Sequence, residues 1–175
     1  VKVLGAVLAG GRSRRFGSDK AEALVAGRTL IEHVVHALSR DCEAVVVCGR
    51  RQPGPALEDR PCAGLGPLGG LCAALSYAAV GGFDAVLSVP CDVPDLPPDL
   101  LQRLSTGPLP AFVSDLPVVG LWPCALAAEL DRYLARSEDR SMRGWARAAN
   151  ASAVDLPWAP SNINTPRDLA AYLRG

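Results

Sequence analysis

Lysine is nearly absent: of 18 basic side chains only Lys2 and Lys20 are lysine, and the rest are arginine. Net charge is absent too, 18 basic residues against 18 acidic ones. That balance argues against a general binder of nucleic acid or membrane surfaces. No apolar stretch approaches the roughly 20 residues that span a bilayer. The opening VKVLGAVLAGG has one basic residue and a short apolar run that enters a glycine-rich turn, so it reads as a buried first strand and not as a secretory signal. A cytoplasmic protein is expected. The six cysteines (Cys42, Cys48, Cys62, Cys72, Cys91 and Cys124) form no C-x-x-C pair and read as buried thiols in a reducing compartment. Internal repeats, low-complexity runs and a domain linker are also missing, and 175 residues suit one domain, 1–175.

What is present alternates. Apolar runs at Val3–Leu8, AVVVC at 44–48 and DAVLSV at 84–89 read as buried strands. Helical patterns lie between and after them: about 29–39, from Pro67 with Leu68, Leu71, Cys72 and Leu75 on one face, and from Pro97 or Pro98. AFV at 111–113 and VVGLW at 118–122 flank SDLP, so at least one should be an edge strand or part of a hairpin. A helix over 124–135, a strand in SAVDL at 152–156 and a helix capped by Thr165 complete the pattern, with Asp168 at the third position. His33 and His36 have a metal-like spacing, but the apolar face of Leu30, Ile31, Val34, Val35 and Leu38 leaves both toward solvent. The sum is an α/β fold, a Rossmann-like, mostly parallel sheet with helices on both faces. Ligands in such sheets bind beyond the carboxyl ends of strands where the strand order reverses, which selects the loops after Leu8, Cys48 and Val89. The Pro/Gly-rich stretch from Gly49 to Gly66 is a long loop of the kind that usually carries function.

LAGGRSRRFGSDK, residues 8–20, packs three glycines, three arginines and a lysine into one loop. Gly10 and Gly11 let backbone amides approach phosphate, while Arg12, Arg14, Arg15 and Lys20 supply charge. The loop is neither a Walker loop nor G-x-G-x-x-G. An ammonium at Lys20, in a chain that otherwise uses arginine, suits a group that follows a phosphoryl through a reaction; a solvated surface lysine is the alternative. Asp92, in VPCDVP at the end of the third strand, can reach phosphates held by the first loop through a bridging Mg²⁺. An aspartate that caps a turn beside proline accounts for it equally well.

Taken in order, LAGGRSRRFGSDK, GRTLIEHV, GPLGG at 66–70, PCDVP at 90–94 and NINTP at 162–166 resemble the molybdenum cofactor guanylyltransferases along nearly the whole chain. The first loop alone identifies only the wider nucleotidyltransferase superfamily, with its nucleotide-diphospho-sugar transferase type of fold. The resemblance implies transfer of GMP from Mg-GTP to the phosphate of molybdopterin, with release of pyrophosphate and formation of the guanine dinucleotide cofactor. It implies that Leu8, Ala9, Gly10 and Gly11 meet the nucleotide, that Lys20 binds its phosphates, that Asp59 contacts it, and that Asp92 binds Mg²⁺ and GTP. Lys20, Asp92 and Arg15 are then the candidate catalytic residues, and Asn162 and Asn164 the candidates for the molybdopterin side. Expected partners are GTP and molybdopterin, with contacts to cofactor-insertion proteins or acceptor molybdoenzymes; nucleic acid and membrane are not among them. Cys48 departs from the pattern, since the family often has asparagine there, and the segment between the last strands is shorter than usual, so the loop leading to VVGLW is expected to shape the second substrate's pocket differently. Rival readings are a cytidylyltransferase of the same fold and a non-catalytic nucleotide-binding module.

Overall fold

The computed structural model describes residues 1–10, 24–49, 55–161, 163 and 165–174. β1 (Val3–Leu8) is buried at all six positions, as a strand covered on both faces must be. A two-stranded antiparallel ribbon, β2 (Leu24–Val25) and β3 (Arg28–Thr29), leads into α1 (Leu30–Leu38). Thr29 caps that helix reciprocally: its Oγ1 accepts from the Glu32 amide at 3.2 Å, and the Glu32 carboxylate accepts from the Thr29 amide at 2.7 Å. Leu30, Ile31, Val34 and Leu38 are buried, as the periodicity requires. His36 faces solvent, but His33 does not: it is half-buried, and its Nε2 donates to the Val25 carbonyl at 2.7 Å, tying α1 to the ribbon.

β4 (Ala44–Cys48) and β5 (Ala56–Leu57) follow, the latter inside the stretch expected to be loop. α2 (Pro67–Val80) is buried beyond the expected apolar face, because Gly69, Gly70, Ala73, Ala74 and Ala78 let it approach the sheet closely on one side and a later helix on the other. β6 (Ala85–Pro90) is the third central strand, and α3 (Leu100–Leu104) begins after a turn closed by the Leu100 amide on the Pro97 carbonyl, 3.1 Å. β7 (Ala111–Val113) and β8 (Leu116–Pro123) form the hairpin, and neither is an edge strand. A 3₁₀ turn at Cys124–Leu126 opens α4 (Ala127–Arg136), with Leu130 and Leu134 buried. α5 (Met142–Ala148), capped by the Ser141 hydroxyl, has no counterpart in the sequence reading. β9 (Ser152–Val154) and α6 (Pro166–Tyr172) end the described chain, and α6 carries the reciprocal cap between Thr165 and Asp168.

The sheet order is β5-β4-β1-β6-β8-β7-β9. Every neighbouring pair is parallel except the two that involve β8, which alone runs the other way. Two cores flank the sheet, one around Leu71, Leu75, Trp122, Leu130 and Trp145, the other around Val7, Val34, Leu87 and Leu104. Ser88 is a fully buried polar group between β6 and β8: its hydroxyl donates to the Val118 carbonyl at 2.7 Å and accepts from Trp122 Nε1 at 3.0 Å. Of the six cysteines, all free, four are buried, Cys42 is half-buried and Cys62 is exposed. Among the described residues no helix is long and apolar enough to cross a membrane.

Candidate nucleotide site

The strand order reverses at β1, with β4 on one side and β6 on the other. Beyond the carboxyl ends of these strands lies a cleft of about 730 Å³, its open mouth included. Leu8, Cys48 and Pro90 form its floor, Asp59 and the start of α2 (Gly66, Pro67, Gly70) one wall, and Cys91, Asp92, Leu116 and Val118 the other end.

Close backbone approach shapes the floor. The Ala9 amide donates to the Cys48 carbonyl and the Gly49 amide to the Leu57 carbonyl, each at 2.9 Å, so β1, β4 and β5 stay zipped where they reach the cleft. Gly49 has φ +82°, and a Cβ there would sit 2.5 Å from the Gly10 Cα. Gly70 is equally confined, since a Cβ would meet the Cys48 Cβ at 2.9 Å and a Leu8 methyl at 3.1 Å. A Cβ on Gly69 would lie 3.0 Å from the Asp59 Cβ. The glycines of GPLGG thus let the first turn of α2 close on Asp59 and on the ends of β1 and β4. Pro67 has no amide hydrogen and the Gly69 amide donates to the Gly66 carbonyl at 3.2 Å, so it is the dipole of α2 that favours an anion in the cleft.

Asp59 is half-buried, and burial pushes its carboxyl up, opposed by a hydrogen bond from the Gly64 amide. A carboxyl raised in the folded state stabilises the fold below its unfolded pKa, and that contribution is lost as pH rises through the folded value. At neutral pH the charged form is therefore a burden to the fold, and Asp59→Asn is expected to raise Tm at pH 7. The gain should shrink as pH falls through the carboxylate range. Thermal melts between pH 4 and 7 check this, and a Tm gain independent of pH would contradict it. Burial, then the charge of Asp59, pushes the Cys48 thiol up to about 12, which leaves it neutral and poorly suited to act as a nucleophile.

Asp92 is 8% exposed at the end of β6. Its carbonyl accepts from the Ile163 amide at 3.0 Å, and the Asp95 carboxylate accepts from the Ser161 amide at 3.2 Å. Ile163, 1% exposed, packs with Val25 and Leu30 in a small third core. These contacts bring the C-terminal segment to the Asp92 loop. Among the described residues no cluster of three or more metal-ligating side chains exists. One buried carboxylate facing the cleft is a donor set that fits Mg²⁺, which takes one or two carboxylates and completes its shell with phosphate oxygens and water.

Leu8, Gly10, Asp59 and Asp92 share this cleft, and Ala9 is buried beside it. Gly11, Arg12, Arg14, Arg15, Lys20, Asn162 and Asn164 lie outside the described residues. Leu116 and Val118, also in the lining, belong to the segment around VVGLW, where the sequence singles out no individual residue. Gly66 and Gly70 lay in a motif that had been noted but given no role.

Comparison with known proteins agrees with this geometry. The family model described as "MobA-like NTP transferase domain" matches residues 5–154. The chain is similar to a molybdenum cofactor guanylyltransferase of Rhodobacter capsulatus, 38% identical over 97% of this chain and 94% of that one. It is also similar to one of Rhizobium leguminosarum bv. trifolii, 36% identical over 97% and 90%. A solved structure of molybdopterin-guanine dinucleotide biosynthesis protein A from Archaeoglobus fulgidus shares the fold, with a TM-score of 0.77 at 24% identity over 98% of this chain and 97% of that one. So does 2-C-methyl-D-erythritol 4-phosphate cytidylyltransferase from Thermus thermophilus, with a TM-score of 0.63 at 18% identity, 99% and 97% covered. The chain belongs to the MobA-like NTP transferase family, among the molybdenum cofactor guanylyltransferases, and is a nucleotidyltransferase.

Proposed function

We propose that the chain transfers GMP from Mg-GTP to the phosphate of molybdopterin, releasing pyrophosphate and forming the guanine dinucleotide cofactor. The observation that carries this reading is the shared cleft, in which the Gly10 backbone, the Asp59 carboxylate, the first turn of α2 and the Asp92 carboxylate meet where strand order reverses. The names of the relatives support the choice of GTP and molybdopterin, and the reading places the reaction in the cytoplasm.

An oxygen of the molybdopterin phosphate attacks the α-phosphorus of GTP, the bond from that phosphorus to the β-bridging oxygen breaks, and pyrophosphate leaves with the electron pair. Bound Mg²⁺ supplies positive charge that offsets the charge on the phosphates. Asp92 would hold the cation, and the Gly10 backbone and the dipole of α2 would present fixed partial charges to the triphosphate. Lys20 and Arg15, in the same glycine- and arginine-rich segment of the sequence, supply positive charge. Orientation of two substrates in one cleft supplies the remainder of the rate.

Asp59 is suited to the guanine edge, since a carboxylate accepts from both N1–H and the 2-amino group. Cytosine lacks that donor pair, and a group left unpaired in a half-buried site costs about 1–3 kcal/mol. Mg-GTP is therefore expected to bind at least about tenfold tighter than Mg-CTP or Mg-ATP, a difference near 1.4 kcal/mol. A calorimetric panel of nucleotides, run with and without Mg²⁺, tests it. CTP binding as tight as GTP would replace the guanylyl reading with a cytidylyl one.

A further inference from the structure

The sheet ladder stops short of Asp92. Pairing of β6 with β1 runs as far as Leu8 opposite Pro90, and pairing with β8 only as far as Ser88 opposite Gly120. Asp92 lies beyond both, so the strand that points the chain at the cleft does not itself fix the carboxylate. The neighbouring Val93 is fully buried and anchors the loop by its side chain. The backbone is held from elsewhere.

Two amides of the C-terminal segment take part. The Ile163 amide donates to the Asp92 carbonyl at 3.0 Å, and the Ser161 amide to the Asp95 carboxylate at 3.2 Å. Among the described residues, neither of the two main cores draws on any residue after Leu156. The segment is seated instead by Ile163, which is 1% exposed and packs with Val25 and Leu30, with the half-buried Leu169 and Tyr172 against them. That seat is firm: the Val25 carbonyl is bonded to His33 at 2.7 Å, and Leu30 opens α1 directly after its reciprocal cap. One residue thus has its side chain in an apolar core and its amide on the backbone of the cleft's buried carboxylate.

We propose that Ile163 is a positioning residue for Asp92: its side chain seats the C-terminal segment in the third core, and its amide fixes the backbone from which the carboxylate reaches a cation. The proposal rests on the functional reading above, in which Asp92 would hold Mg²⁺. Mg²⁺ demands near-ideal octahedral geometry, so its binding is sensitive to where that carboxylate sits. Asp59 is held differently, by the Gly64 amide and by close contact with Gly69. Loss of the seat should therefore weaken the hold on the metal and spare contacts at the Asp59 end.

Ile163→Ala empties the seat and keeps the amide, and Ile163→Val removes a single methyl group. Calorimetric titration of GTP, with Mg²⁺ and with the cation chelated, gives the gain in affinity that the metal confers. That gain is expected to shrink at least about fivefold in Ile163→Ala and about twofold in Ile163→Val, while metal-free GTP affinity moves less than about twofold. Half-maximal pyrophosphate release should need at least about fivefold more Mg²⁺ in Ile163→Ala, with kcat partly restored at saturating Mg²⁺. Leu134→Ala, which opens a void in the first core, should lower Tm and leave the metal gain as it is. An unchanged metal gain in both Ile163 variants would overturn the proposal, and so would an equal loss of it in Leu134→Ala. Should Ile163→Ala fail to fold, Ile163→Val decides alone by the presence or absence of its smaller shift. If Mg²⁺ adds nothing to GTP binding in the unsubstituted protein, the functional reading falls and the positioning role with it; a metal gain that Ile163 does not alter overturns the positioning role alone.

Discussion

Asp92→Asn is expected to lower kcat at least about 100-fold, about 2.7 kcal/mol of barrier, while leaving the fold in place. The side chain keeps its size, and the hydrogen bond that anchors the C-terminal segment uses the Asp92 carbonyl, which the substitution does not touch. What is lost is the formal charge that would hold a hard cation against the triphosphate. Circular dichroism and Tm should match the unsubstituted protein, and pyrophosphate release should be nearly abolished. Near-normal release at ordinary Mg²⁺ would return Asp92 to the role of a turn-capping residue.

Gly49→Ala is expected to harm both stability and binding. Its φ of +82° is disfavoured for alanine, at about 1–3 kcal/mol for such a strained conformation. The added Cβ would also sit 2.5 Å from the Gly10 Cα, where the atom that must yield belongs to backbone and not to a flexible side chain. Relief requires β1 and β4 to separate at the cleft floor, against the 2.9 Å bonds made by the Ala9 and Gly49 amides. A fall in Tm of roughly 4–8 °C is expected, on a loss of about 2 kcal/mol in a domain of this size. GTP affinity should fall by at least about tenfold because Gly10 would be displaced from the phosphates. An alanine variant with unchanged Tm and GTP binding would show that the two glycines are not held as described.

Much of the fold was legible because burial on both faces writes continuous apolar runs. β1, β4 and β6 carry Val3–Leu8, AVVVC and the AVLSV of DAVLSV, and no surface helix reads that way. The reciprocal cap at Thr165 marked one helix start, while the one at Thr29 emerges only in the structure. What escaped lacked a local signal. β2, β3 and β5 are two residues each, too short for periodicity to register. α5 mixes Arg143, Gly144 and Arg147 with its buried Met142 and Trp145, so its apolar stripe was too brief to stand out. His33 looked solvent-facing because its partner, the Val25 carbonyl, belongs to a ribbon that the sequence did not reveal.

The site divides in the same way. Gly10 and Asp92 were legible from position, at strand ends beside glycine and proline, while Leu8 and Asp59 came only with the resemblance to the family. Cys48 drew notice as a departure from the family's asparagine, but only the packing explains its setting: it is 1% exposed, and Gly70 leaves room for its Cβ. The loop leading to VVGLW was read as shaping a substrate pocket, but Leu116 and Val118 were not singled out, because their place in the cleft depends on β8 running antiparallel, and strand direction is set by long-range register and not by local sequence.

The most direct test incubates the protein with Mg²⁺, molybdopterin and either GTP or CTP, and follows pyrophosphate release together with the mass of the product. The proposed function predicts release with GTP, a product equal to molybdopterin plus a guanylyl group, and at most about a tenth of that rate with CTP. Release that is faster with CTP, or no release with either nucleotide, would contradict it.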